Sequence, residues 1–178
     1  MTSVLLSVRP EWCEKILAGE KTVEVRKTRP KIEPPYKCYI YCTRPKYDHE
    51  DFFVVNAGTE NAFSFYGGGK VIGEFTCEVN CEISIEASDW DPIVPTSIPT
   101  IGMTDKQIAD YLGNGKTGYA WFISDLVIYE KPLHFKDFYI ERTMKCNSNS
   151  VQTFRNYLNR PPQSWCYVEE LPPFEGEK

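Results

Sequence analysis

From Val71 to Ile85 apolar residues recur at alternate positions: Val71, Phe75, Cys77, Val79, Cys81, Ile83 and Ile85, with Lys70, Glu74, Thr76, Glu78, Asn80, Glu82, Ser84 and Glu86 around them. Side chains of a strand point alternately to its two faces, so this pattern predicts one long β-strand with a dry face and a wet face. Only Ile72 and Gly73 break the alternation. Such a strand far exceeds the usual ~5–6 residues, so it must curve or bulge, and Gly73 is the candidate bend. Curvature of that degree suits a small barrel.

The flanking segments fit the same architecture. Val4 to Val8 reads as a buried strand, and Pro10 can open a helix carrying Cys13, Ile16 and Leu17 on one face, with Gly19 as its left-handed stop. Thr22 to Arg26 alternates, with Val23 and Val25 opposite Glu24 and Arg26, and predicts a strand with one polar face. Cys38 to Cys42 reads as a strand, and residues 44–69 as an irregular excursion ending at Gly67-Gly68-Gly69. Thr104 and Gln107 form a capping box for a short helix that stops at Gly113. Tyr119 to Tyr129 is apolar on both faces, as a central strand would be. A last helix is expected from Ser148 or Ser150, with Val151, Phe154, Tyr157 and Leu158 inward, followed by an edge strand over 164–169. The fold class expected is α+β: a small curved β-barrel with helices at its mouth and a C-terminal helical extension.

At 178 residues, 42% hydrophobic and 25% charged, the chain is of single-domain size and globular composition. No apolar run reaches the ~18 residues needed to cross a bilayer, and the first ten residues lack the layout of a signal peptide. With seven cysteines, an odd number, reduced thiols and a cytoplasmic location are expected, with no membrane partner. The net charge of −5 argues against strong non-specific nucleic-acid binding. That average hides an asymmetry: residues 1–46 carry ten Lys/Arg against five Glu, and the remainder ten against twenty acids. This split reads as one basic patch on an acidic body.

Lys21, Glu24 and Arg26 are the candidate site. Together they offer an ammonium, a carboxylate able to act in acid/base chemistry, and a bidentate guanidinium fork. An ordinary surface ladder of charges on a half-exposed strand is the competing explanation. Trp90, in a polar loop, and Tyr66, beside the triple glycine, are candidates for stacking a base, whereas Trp121 reads as core; Tyr119 and Trp165 are further aromatics able to stack. Cys38 and Cys42, with Cys77 and Cys81, are spaced like small core hydrophobes on alternating strands, so neither a metal nor a cofactor is assigned. Gly67 to Lys70 precedes a strand and lacks the features of a phosphate loop.

Gly19-x-Lys21-x-x-Glu24-x-Arg26, following a short helix, resembles the hallmark of the ASCH domain (activating signal cointegrator homology), a family of the PUA-like superfamily. Further resemblance lies in Ser7 to Leu17, in Gly69 to Phe75, and in Thr117 to Ala120 leading into Ile123-Ser124 and Pro132. The likeness covers residues 3–138, leaving 139–178 as an extension packed on the same domain. It implies a barrel with a cleft at the motif and RNA, a nucleotide or a nucleoside as ligand, held by Lys21, Glu24, Arg26, Tyr66 and Trp90. It also implies a hydrolase alternative, since some members are amidohydrolases of acetylated cytidine and others ribonucleases; Lys21 and Glu24 would then be catalytic. The amidohydrolase branch carries a nucleophilic threonine where this chain has Glu24, so that nucleophile is not matched. A protein-interaction role for residues from Tyr139 onward is a third reading, and the oligomeric state is left open.

Overall fold

The computed structural model describes residues 1–44, 53–56, 63–84, 101–113, 117–147 and 150–172, with backbone alone at 53–56, 63–66, 105, 146–147 and 150. Its elements run β1 (Thr2–Val8), α1 (Pro10–Leu17), β2 (Val23–Arg26), β3 (Tyr36–Cys42), β4 (Phe53–Asn56), β5 (Phe63–Tyr66), β6 (Lys70–Ser84), α2 (Asp105–Leu112), β7 (Thr117–Leu133), β8 (Tyr139–Asn147), β9 (Ser150–Tyr157) and β10 (Trp165–Glu169). Among the described residues the fold is mostly β-sheet with two α-helices.

Six strands form the main sheet, in the order β10-β1-β3-β6-β7-β2. β1 lies inside it, antiparallel to β10 and parallel to β3. It is buried on both faces, which is why its sequence is continuously apolar rather than alternating. Val4, Leu6, Ile40, Phe75 and Trp121 form the larger core with Cys13 and Ile16 of α1. Leu5, Tyr39, Tyr41, Val71 and Val168 face the other way, where Phe138 covers them.

The long strand is present as expected. β6 spans 15 residues and pairs with both β3 and β7. Its register against β7 shifts between Val71 and Gly73, between Glu74 and Thr76, and between Cys77 and Asn80, so the curvature is taken up at three places. The hydrogen-bonded ladder nevertheless stays open, with β2 and β10 as its two edges, so among the described residues the sheet is not closed into the small curved barrel expected. Side chains join these edges instead: Trp165 Nε1 donates to Thr28 Oγ1 at 3.0 Å, and the Lys31 amide donates to the Tyr167 hydroxyl at 2.6 Å.

Two expectations are corrected. The C-terminal extension is not helical: β8 and β9 form an antiparallel hairpin with Tyr139 opposite Tyr157. Val151, Phe154 and Tyr157, expected to face inward, are 60%, 45% and 57% exposed. The second correction falls within 44–69, read as irregular, where β4 and β5 pair as a hairpin. The short helix α2 follows its sequence signals. Thr104 Oγ1 accepts from the Gln107 amide at 3.2 Å, and Gln107 Oε1 accepts from the Thr104 amide at 2.9 Å.

Candidate functional site

The site is assembled at the exit of α1. Pro10 occupies the first helical turn, where its missing N–H costs nothing, and the helix ends at Leu17. Gly19 then takes φ +71°, a conformation that glycine adopts without the Cβ penalty. The turn lets the Lys21 amide donate to the Lys15 carbonyl at 3.0 Å, and the Thr22 carbonyl accept from the Ile123 amide at 2.9 Å. β2 is thereby seated on β7, with Glu24 opposite Trp121 and Arg26 opposite Tyr119.

All four residues of β2 are buried. Val25 packs against Ile108 and Leu112 of α2, while Glu24 and Arg26 sit on the opposite face of the strand. The polar face is therefore an interior one, which removes the competing explanation of a half-exposed surface ladder. Lys21, Glu24 and Arg26 are 1%, 6% and 7% exposed. Glu24 stands between the two cations: Oε1 lies 2.8 Å from Arg26 Nη2, and Oε2 lies 3.4 Å from Lys21 Nζ. Charges so deeply buried are tolerable only when paired and hydrogen-bonded.

The remaining donors are accounted for group by group. Lys21 Nζ donates to the Ile101 carbonyl at 2.9 Å and lies 5.4 Å from the centre of the Trp12 ring. Lys15 Nζ donates to the next carbonyl, Gly102, at 3.0 Å, so the two lysines clasp consecutive peptides ahead of α2. Burial pushes the Lys21 ammonium below its ordinary pKa, and the Glu24 carboxylate opposes that shift. Arg26 Nη2 donates to the Ser7 carbonyl at 2.6 Å, and Nη1 reaches Ser164 Oγ at 3.4 Å and its carbonyl at 3.5 Å. Ser7 Oγ donates in turn to the Pro162 carbonyl at 2.6 Å. Arg26 thus spans the gap between the sheet's edge strands, and its Nε–H has no partner among the described residues.

Above these groups opens a cavity of about 710 Å³, within the range of small-molecule sites. Its wall includes Lys21, Glu24 and Arg26 together with Ser7, Ser164, Trp12, Asp110 and Tyr111. Arg9, Lys21 and Arg26 are matched in number there by Glu11, Glu24 and Asp110. Sequence reasoning did not assign Ser7, Ser164, Trp12 or Tyr111 to the site. The Ser7 to Leu17 segment was a signal for two of them, whereas Ser164 arrives only because β10 pairs back onto β1.

The other aromatic candidates divide. Trp121 is fully buried and meets Tyr36 edge-on at 6.0 Å, so it is core, as expected. Trp165 lies 6.1 Å from Trp121, and Tyr119 lies beneath the Arg29 guanidinium at 5.5 Å. Trp90 and the side chain of Tyr66 lie outside the described residues, as does the backbone around Trp90. Cys38, Cys42 and Cys77 are core residues with no exposed surface, and burial raises the thiols of Cys38 and Cys77. Among the described residues no three His, Cys, Asp or Glu side chains are grouped to hold a metal ion. No helix among them is long and apolar enough to cross a membrane.

No curated protein matches this chain. The crystal structure of ASCH from Zymomonas mobilis is similar, with a TM-score of 0.58 at 19% identity over 94% of this chain and 88% of that one. Two point-mutant structures of the same Zymomonas mobilis protein each give a TM-score of 0.57 at 19% identity, covering 94% of this chain and 91% and 89% of theirs. These likenesses establish a shared fold. The model of the ASCH domain family matches residues 6–80, a stretch that takes in the end of β1, α1, the Gly19 to Arg26 motif and most of β6, so this part of the chain is similar to an ASCH domain.

Proposed function

We propose that this protein binds RNA, through a nucleotide or nucleoside unit held in the cavity above Lys21, Glu24 and Arg26. The observation that carries the reading is the buried ionic cluster in the cavity wall. A carboxylate held between two cations is costly to desolvate, and here it is combined with an arginine Nε–H that lacks an acceptor. Trp12 and Tyr111 in the wall supply rings against which a base can lie. Glu24 then acts as a positioning residue that holds Arg26 in place. In this reading residues 3–138 form the ligand-holding domain, and 139–178 pack on it, adding β10 to the sheet and Ser164 to the site. The test is binding of short RNA by purified protein. Affinity should fall with added salt and with Arg26→Ala, and indifference to both refutes the proposal.

One observation favours a second reading, hydrolysis of a modified nucleoside or of RNA. Lys21 lines the cavity with its ammonium destabilised by burial, as suits a group that polarises a scissile bond. Against it, both oxygens of Glu24 are already engaged by cations, which suits a fixed carboxylate better than a base that must collect a proton. Incubation with acetylated cytidine and with RNA oligomers, alongside Glu24→Gln, separates the two. Turnover that depends on Glu24 supports the hydrolase, and its absence removes it.

A further inference from the structure

The cations of the basic first quarter do not share one environment. Lys21 and Arg26 are buried in the site, and Lys37 is held by Glu74 and Glu170. Lys27, Arg29 and Lys31 instead recur at alternate positions along an exposed loop that leaves β2 directly after the motif. Among the described residues none of these three has a carboxylate at ion-pair distance.

The loop is laid on aromatic groups. Lys27 Nζ stands 5.3 Å from the centre of the Tyr111 ring, and the Arg29 guanidinium 5.5 Å from that of Tyr119. Arg29 is further fixed by a 3.2 Å bond to Asn80 Oδ1. The Lys31 amide donates to the Tyr167 hydroxyl at 2.6 Å, and Trp165 Nε1 holds Thr28 at 3.0 Å. Tyr111, Tyr119, Trp165 and Tyr167 are all partly exposed. The loop also begins at the cavity: Tyr111 is both part of the cavity wall and the support of Lys27, and Trp165 follows the wall residue Ser164.

Three like charges spaced two residues apart along one loop, none paired with a carboxylate among the described residues, are drawn to a polyanion. Cations interleaved with partly exposed rings suit a flexible strand whose phosphates and bases are both available, rather than a stacked duplex. We infer that Lys27, Arg29 and Lys31 form a track for the phosphodiester backbone of single-stranded RNA, leading out of the cavity that holds one of its nucleotides. The inference rests on the cavity reading above and deepens it: the ligand is a polymer, and the free nucleoside engages only half of the binding surface.

The experiment compares wild type with Lys27→Gln/Arg29→Gln/Lys31→Gln, whose substitutions are all exposed, with thermal melting as the check on folding. Fluorescence anisotropy with fluorescein-labelled octauridylate is measured from low to high salt, and calorimetry with uridine tests the cavity separately. Three lost phosphate contacts should flatten the slope of log K against log[salt] by roughly 2 and weaken binding about 100-fold at 0.1 M salt. Uridine affinity should be unchanged. Equal slopes in the two proteins overturn the track, as does an octauridylate that binds wild type no more tightly than uridine. Displacement of the RNA by heptaglutamate at equal charge concentration also overturns it, because the loop would then recognise charge alone. If the slopes differ as expected but uridine binds neither protein, the cavity reading falls and the track stands; if neither probe binds, both fall.

Discussion

Replacing Glu24 by Gln is the most direct test of how the site is held together. The substitution keeps the size of the side chain and removes the negative charge that stands between Lys21 and Arg26, whose side chains are 1% and 8% exposed. Breaking a buried pair by neutralising one partner leaves an uncompensated charge, at a cost of about 3–5 kcal/mol. In a chain of this length that lowers the melting temperature by on the order of 10 °C. The pH dependence gives an independent check. Burial holds the folded-state pKa of Lys21 below its ordinary value, so above that folded pKa and up to the ordinary lysine value the unfolded chain binds more protons. Stability therefore rises with pH through that window. Removing the Glu24 charge takes away the partner that favours the ammonium, which extends the window downward. The deficit of Glu24→Gln should accordingly shrink as pH rises toward the ordinary lysine value, as read from urea unfolding midpoints. Adding Lys21→Met should recover part of the loss, with a coupling energy of about 1–3 kcal/mol in the double-mutant cycle. A variant within about 1 kcal/mol of wild type at pH 7 would refute the argument, as would a deficit that widens with pH.

Other outcomes follow from neighbouring groups. Gly102→Ala should destabilise by about 1–2 kcal/mol, because φ is +70° there and an added Cβ would stand 2.9 Å from Lys21 Cβ; an unchanged denaturation midpoint would count against the clasp over Lys21. Thr104→Ala removes the cap of α2 and should cost about 1 kcal/mol in the same assay, with Thr104→Asn restoring most of it. Alkylation at pH 8 followed by mass spectrometry should spare Cys13, Cys38, Cys42 and Cys77, which are fully buried. Cys166, half-buried with its thiol pushed up to about 11, should react slowly, and denaturant should abolish the difference.

How far the sequence could be read depended on whether an element's pattern reflected burial. The alternation of 71–85 reports a strand packed on one side for most of its length, and β6 lies where that pattern placed it. The capping box of α2 is a local interaction, legible without any tertiary information. Val151, Phe154, Tyr157 and Leu158 mimic one helical face by spacing alone, yet three of them lie exposed in a hairpin, so their order carried no burial signal. The burial of Glu24 and Arg26 was illegible for the opposite reason. Alternation identifies two faces of a strand but not which is wet, and here α2 covers the valine side while the edges of the sheet meet around the charged side. The motif could be recognised in the chain; the contributions of Ser7 and Ser164 required the strand pairings that bring residues 157 apart in sequence to the same arginine.

The open edge of the sheet gives Arg26 two duties at once. β2 and β10 exchange no ladder bonds, and one guanidinium reaches from β2 to the carbonyl of Ser7 and to Ser164. Such a junction works as a reporter. A ligand that drew Nη1 away from Ser164 would loosen the start of β10, and faster amide exchange along that strand would show it. If the proposed ligand occupies the cavity, the mechanical state of the sheet's edge would report it without a label on the ligand.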